Sequence, residues 1–299
     1  MNLDHVAALR RLGYDARFLV VRPADERPTA TPAFPAGFDV PWQRTTDDLT
    51  PSDIVVVGEM FGDGLLEVAQ TPARKIIHNQ GPFYTFMAFI DLHAMRRWGC
   101  EAMVLPSHFA AGMARRAGWD GPAHVVRPAL DPAFGPRPDL PRRLQVACMT
   151  HKRPQESRLI RGIVRSLRPD LNEVPWLEIG GVDRPEVARM MAGSDIFLAL
   201  GSLEGLGLPP LEALACECVV AGFHAGGGQE YATPENGDWF DDGRHFEVAE
   251  ALIALMDRAR AGDRLEARRA AGRATAAGFS REAFEAQLAG AWASIAGPP

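Results

Sequence analysis

The sequence predicts an α/β protein made of two successive βα-alternating domains followed by a helical C-terminal stretch. Three observations predict it. Short continuous apolar runs recur along the chain with helical stretches between them, the pattern of parallel strands buried on both faces. A proline-rich stretch, RPALDPAFGPRPDLPRR at 127–143, interrupts that alternation near the middle. A length of 299 residues suits two cores better than one.

Composition narrows the class. The chain is 46% hydrophobic and carries 38 acidic against 32 basic side chains, a formal net charge of -6. Wholesale disorder is excluded, and without a basic block nucleic acid is not expected as the main partner. No apolar run approaches the roughly 18 to 20 residues that cross a bilayer, and the opening MNLDHVAALRRL lacks a signal-peptide core. The expectation is a soluble, cytoplasmic protein with at most peripheral membrane contact. Cys100, Cys148, Cys216 and Cys218 show no metal-binding spacing and read as reduced, packed thiols. Only Lys75 and Lys152 among the basic residues are lysine.

The elements follow in order. Leu3, Val6 and Leu9 have helical spacing and Gly13 closes that helix. ARFLVV (16–21) reads as a strand, and a proline-rich connection leads to DIVVVG (53–58). RKIIHNQ (74–80), MVLPS (103–107) and AHVVRP (123–128) continue the alternation, with SHFAAGMARRAG as a helix between the last two. Past residue 143 the strands are LQVACMT, WLEIGG, DIFLALG and CVVAGF, and the helices SRLIRGIVRSL, RPEVARMMAGS and PPLEALACE. From Glu247 through Trp292 the chain reads as helical. The expected domains are 1–130 and 144–279, joined by a linker at 131–143, with a helix over 280–299. One feature is missing from the pattern: a doubly wound domain opens with a central strand and a glycine-rich turn, whereas this sequence opens in a helix. Loss of that strand leaves its neighbours unpaired, so a loosened or rearranged N-terminal sheet is expected.

The chemistry concentrates in residues 194–231. The strand ending near Gly201 delivers Glu204, Gly205, Gly207 and Leu208 to the carboxyl edge of the sheet, where ligands of open α/β sheets bind. Pro209 and Pro210 suit a helix's first turn, and the expectation is that free amides and the positive helix end face an anionic ligand. Glu212, eight residues after Glu204, is expected in that first turn, able to accept two vicinal hydroxyls such as those of a ribose. Singly, each acid reads as a loop or dipole-complementing carboxylate; the combination points to a site.

The segment EGLGLPPLE, with the wider run ALACECVVAGFHAGGGQEY, resembles the paired-glutamate signature of retaining, metal-independent GT-B glycosyltransferases of group 1. The resemblance implies two Rossmann-like domains facing a cleft, a helix over 280–299 that crosses back to the first domain, and a nucleotide-sugar donor as substrate with no cofactor. It places Glu212 on the ribose, Glu204 on the donor sugar, and the amides of Gly205, Gly207 and Leu208 on sugar and phosphates. A basic diphosphate site is expected in MTHKRPQES, where Lys152 and Arg153 precede a helix; related sequences often have arginine where this chain has His151. Gly226, Gly227 and Gly228 are expected to turn amides toward the donor. His78 is the nearest match to a family histidine close to the transferred sugar, with Asn79 a competing alignment and Gln80 beside them. Glu59, Phe83, Tyr84 and Phe86 are further acceptor-side candidates, with core packing the alternative for the aromatics. No Asp-x-Asp triplet occurs, so a metal-free mechanism is expected. The implied reaction moves a sugar to a hydroxyl of a glycan, lipid-linked or small-molecule acceptor. The alternatives are a degenerate nucleotide- or glycan-binding protein or partner subunit, and a sugar-nucleotide epimerase of the same architecture.

Overall fold

The computed structural model describes residues 2–19, 42–43, 46–60, 68–88 and 92–299. It divides into two compact units, residues 1–128 with 282–299, and residues 129–281. The proline-rich connection ahead of residue 53 lies largely outside the described residues, as do the last two residues of ARFLVV.

In the first unit, α1 (Asn2–Arg11) ends at Gly13, whose φ of 98° lets the chain reverse while Tyr14 N–H returns to Leu9 O. Strands β1 (Phe18–Leu19) and β2 (Trp42–Gln43) form a separate two-stranded parallel sheet. Strands β3 (Ile54–Gly58), β4 (Arg74–His78), β5 (Cys100–Leu105) and β6 (Ala123–Val125) form a four-stranded parallel sheet in that order. No strand joins the two sheets among the described residues. Helices α2 (Pro82–Ala88), α3 (Leu92–Arg97) and α4 (His108–Arg116) complete this part of the unit. Leu92 and Met95 of α3 and Ala110, Ala111 and Ala114 of α4 bury against Val57, Ile77 and Met103. Ser107 Oγ caps α4 by accepting the Ala110 N–H at 3.0 Å. Lys75, one of the two lysines, is buried, its Nζ donating to Thr71 O and Ala73 O at 2.9 and 2.8 Å. It is a structural cation.

The second unit carries a five-stranded parallel sheet formed by β7 (Arg143–Cys148), β8 (Trp176–Glu178), β9 (Ser194–Leu200), β10 (Val219–Phe223) and β11 (Gly237–Phe240). Their spatial order is β11-β10-β9-β7-β8. The helices are α5 (Pro154–Leu167), α6 (Arg184–Ala192), α7 (Leu208–Ala215), α8 (His245–Arg260) and α9 (Glu266–Ala277). One face of the sheet is covered by Ile160, Ile163 and Val164 of α5 with Val248, Leu252 and Leu255 of α8. The other is covered by Val187 and Met191 of α6 with Leu211 and Leu214 of α7. Double coverage explains why β9 and β10 read as unbroken apolar runs.

One expectation is corrected here. The proline-rich stretch is not a free hinge: Leu130, Ala133, Phe134 and Leu140 pack on the core of the second unit, because the apolar residues set between the prolines find places on its surface. The helical C-terminal stretch consists of three helices. It breaks at Gly262 and Leu265, both with positive φ, and again between Ala277 and Arg281. The last helix, α10 (Arg281–Ala296), is counted from Glu282 onward with the first unit. There Phe284, Leu288, Trp292 and Ile295 are buried, Arg11 pairs with Glu285 at 2.6 Å, and Tyr14 Oη donates to Gly297 O at 2.7 Å. All four cysteines are free and buried. Burial pushes Cys100 and Cys148 up to about 11 and Cys216 and Cys218 up to about 12, which leaves them protonated and inert.

Candidate functional site

The chain order of the second sheet creates its site. From β7 the chain moves outward to β8, then crosses over to β9 on the other side of β7, so a crevice opens between the carboxyl ends of β7 and β9. Register brings Cys148 beside Leu198, and Leu200 beside Phe223 of β10, so the loops after β7, β9 and β10 leave the same edge side by side. Those loops carry Lys152, Glu204 and the triple glycine.

Lys152 Nζ donates to Glu204 Oε1 at 2.6 Å across this crevice, with the two side chains 35% and 19% exposed. Both line a hollow shared with His151, His224, Tyr231, and Pro209 and Pro210 of α7. The loop bearing Glu204 is fixed by backbone: Glu204 N–H donates to Ala225 O at 3.0 Å, and Gly227 N–H donates to Glu204 O at 3.0 Å. Gly227 has to be glycine, since a Cβ there would lie 2.4 Å from the Gly205 carbonyl carbon.

Glu212 is placed differently from the expectation. Helix α7 starts at Leu208, with Gly207 as its N-cap at φ 85°, so Glu212 falls in the second turn and no acidic residue occupies the first. Its side chain is almost fully buried and is absent from the lining of the hollow; Arg184 Nη2 donates to its Oε1 at 3.0 Å. Burial pushes the Glu212 carboxyl above the usual carboxylate range and Arg184 pulls it back. Burial, then Glu204 and Glu212, raise the phenol of Tyr231, so both acids act on that one hydroxyl, which donates to Gly207 O at 2.7 Å. The two acids are thus neighbours of one buried phenol rather than walls of one hollow.

The anion-binding parts also differ from expectation. Proline has no N–H, so of the first three residues of α7 only Leu208 carries an amide hydrogen. Gly226, Gly227 and Gly228 use their amides internally, donating to His224 Nδ1, Glu204 O and His224 O. These glycines, with Gly205 buried beneath them, shape the loop pair instead of forming an open amide cradle. Arg153 turns from the hollow: it pairs with Glu156 and Asp242 at 2.8 Å each and lies 5.3 Å above the Phe223 ring. Lys152 is left as the permanent cation at the crevice among the hollow's lining residues.

In the first unit, His78 is not open at the end of its strand. It is buried at 5% exposure, its ring 4.3 Å from that of His5, which in turn meets Phe284 of α10. Burial, and then the neighbouring His5, drive His78 well below the usual imidazole range. Asn79 is buried and its amide donates to Thr85 Oγ1. Glu59 is buried, accepts the Gly81 N–H at 2.8 Å, and has its carboxyl raised by desolvation. Phe83 packs on Phe109 at 6.3 Å, Tyr84 is half-buried, and Phe86 is exposed.

Sequence reasoning missed His224, Tyr231, Arg184 and Asp131. His224 and Tyr231 flank the AGGGQE stretch already singled out, so position relative to the glycines would have found them. His224 Nδ1 accepts from Gly226 N–H, which leaves its proton on Nε2, facing Asp241 Oδ1 at 2.9 Å. Arg184 and Asp131 carry no local signal, because they reach Glu212 only through the fold. No group of three or more potential metal ligands occurs among the described residues, and no described helix is long and apolar enough to cross a membrane.

Residues 177–275 match the family described as glycosyl transferases group 1. An alpha-1,6-glucosyltransferase of Actinobacillus pleuropneumoniae is 28% identical over 264 residues, covering 86% of this chain and 78% of that protein. Anabaena HepE, solved with UDP and with UDP-glucose, superposes with a TM-score of 0.69 at 14% identity, covering 98% of this chain and 96% of its own in the UDP complex. The pneumococcal O-GlcNAc transferase solved with UDP and GlcNAc superposes with a TM-score of 0.64 at 14% identity; the match covers 83% of this chain but only 57% of that longer one. The chain is thus similar to group 1 glycosyltransferases over residues 177–275 and has the GT-B fold.

Proposed function

We propose that the chain transfers glucose from UDP-glucose to a hydroxyl of a sugar acceptor, with retention at the anomeric carbon, without a metal ion, and in the cytoplasm. The observation that carries this reading is the Lys152–Glu204 pair bridging the crevice between β7 and β9. Donor entry replaces that pair: the ammonium turns to the β-phosphate and the released carboxylate accepts hydroxyls of the sugar. The bond from the anomeric carbon to the phosphate oxygen breaks as the bond to the acceptor oxygen forms, and the acceptor proton passes to the departing phosphate. A leaving group that takes the proton removes the need for a protein base, and Lys152 stabilises the charge that develops on it. Glu212 is assigned to the ribose.

The donor assignment draws on the glucosyltransferase relative and on the UDP-glucose complex of the Anabaena protein. Four unpaired, buried thiols support a reducing compartment. The test is turnover of UDP-glucose, UDP-N-acetylglucosamine and GDP-mannose with glucose-containing acceptors, with and without EDTA, and the product's anomeric configuration read by NMR. An α-linked glucoside formed at an unchanged rate in EDTA is expected. A β-linked product or loss of activity in EDTA overturns retention or metal independence respectively, and nucleotide binding without turnover of any donor favours a degenerate binding protein.

A further inference from the structure

Glu212 is held by a three-member ionic chain whose other two members, Arg184 and Asp131, lie outside the EGLGLPPLE segment. Asp131, in the proline-rich stretch, accepts the Ala133 N–H on Oδ1 at 2.9 Å and the Arg184 Nε on Oδ2 at 3.0 Å. Arg184 then donates from Nη2 to Glu212 Oε1 at 3.0 Å. The guanidinium lies 5.1 Å above the Phe134 ring, and Arg184 is the first residue of α6, whose N-cap Asp183 accepts the Glu186 N–H at 3.0 Å. Backbone, ring and acid therefore fix the arginine fork before it meets Glu212. Its side chain is 56% exposed while that of Glu212 is 6% exposed, so the buried acid is joined to solvent through the cation.

We infer that Arg184 is a positioning residue that holds Glu212 ionised and oriented for the nucleotide ribose, with Asp131 holding Arg184. This rests on the assignment of Glu212 to the ribose. The charged and titratable groups that face Glu212 are Arg184, Asp131, Tyr231 and Cys216. Of these only Arg184 is a cation. Desolvation already raises the Glu212 carboxyl, so removal of Arg184 moves its protonation toward neutral pH, where a protonated carboxyl accepts ribose hydroxyls poorly.

The experiment is UDP binding by calorimetry from pH 5.5 to 8.5 for the full chain, Arg184→Met, Arg184→Lys, Glu212→Gln and the Arg184→Met/Glu212→Gln double variant. UDP's own phosphate ionisation is common to all five. Arg184→Met should weaken UDP about tenfold at pH 7.5 and move the acid limb of binding up by about one pH unit. Arg184→Lys should restore most of both. The double variant should bind no more weakly than Glu212→Gln alone. Two results overturn the inference: full effects of both single changes in the double variant, which makes Arg184 an independent UDP contact, or an Arg184→Met profile matching the unaltered chain. If Glu212→Gln binds UDP normally, the ribose assignment fails instead, and the two failures are told apart. Should Arg184→Met fold poorly, Arg184→Lys against Glu212→Gln still decides, since lysine keeps the charge but loses the fork.

Discussion

At the scale of single residues, Lys152 and Glu204 separate function from stability. Their pair is partly exposed, and such pairs contribute about 0–1 kcal/mol to folding. Stabilising the departing diphosphate is a different matter, because a lost contact to a charged group costs about 1.5–3 kcal/mol. Lys152→Ala should therefore lower kcat by roughly 10- to 150-fold with a thermal midpoint close to that of the unaltered chain, and Glu204→Gln should slow transfer while sparing UDP binding. Steady-state kinetics beside thermal unfolding checks both. His5 gives the opposite kind of prediction. Burial, then the N-terminal amine, hold it at about 4, against about 6.5 when unfolded. Between those values the unfolded chain binds the extra proton, so the stabilisation is complete above about pH 6.5 and is lost as pH falls toward 4, by about 3 kcal/mol. His5→Phe keeps the stacking on His78 and should reduce the pH slope of stability in that window by about 1.4 kcal/mol per unit, as measured by denaturant unfolding at pH 7, 6 and 5.

At the scale of elements, the site is a loop pair before it is a set of side chains. The loop after β9 and the loop after β10 are joined at Glu204, Ala225 and Gly227, and Tyr231 ties the second to the N-cap of α7 through Gly207 O. Gly227→Ala forces a Cβ against the Gly205 backbone, and backbone cannot swing aside as a side-chain tip would. Overpacking of this kind costs about 1–3 kcal/mol. That variant should lose most transferase activity through displacement of Glu204, whereas Gly243→Ala, where a Cβ meets open space at a strained φ of 92°, should lose stability and keep activity. The strands of the second unit were legible as unbroken apolar runs because both faces of the sheet are covered, and its helices because each keeps one apolar face. Lys152 and Glu204 were legible because loops at a switch point collect ligand residues. Glu212 falls just past the first turn because the helix opens at Leu208, one residue before Pro209, on a left-handed glycine. The glycine amides misled for a similar reason: composition shows that a loop can turn inward to a ligand, and only tertiary pairing shows that it closes on its neighbour.

At the scale of the whole molecule, the buried clusters fall within single units, and α10, counted with the first, buries four large side chains of its own. How far that unit depends on its C-terminal segment was not legible, since the contacts span more than 200 positions: Arg11 to Glu285, Tyr14 to Gly297, and Arg74 Nη2 to Ile295 O at 2.8 Å. Among the described residues the strands of the first unit are divided between two sheets, and α10 adds large buried side chains to that unit. Trp292 is 7% exposed, and its ring stands 6.0 Å from Tyr14. Its truncation to alanine should cost about 3–5 kcal/mol. Separate cores imply separate unfolding transitions, so Trp292→Ala should lower one of two calorimetric transitions and leave the UDP-stabilised one in place. The indole Nε1 has no hydrogen-bond partner among the described residues, so Trp292→Phe keeps an aromatic ring without stranding an acceptor and should cost about 1 kcal/mol or less. A single transition lowered as a whole by Trp292→Ala would show instead that the two units unfold together.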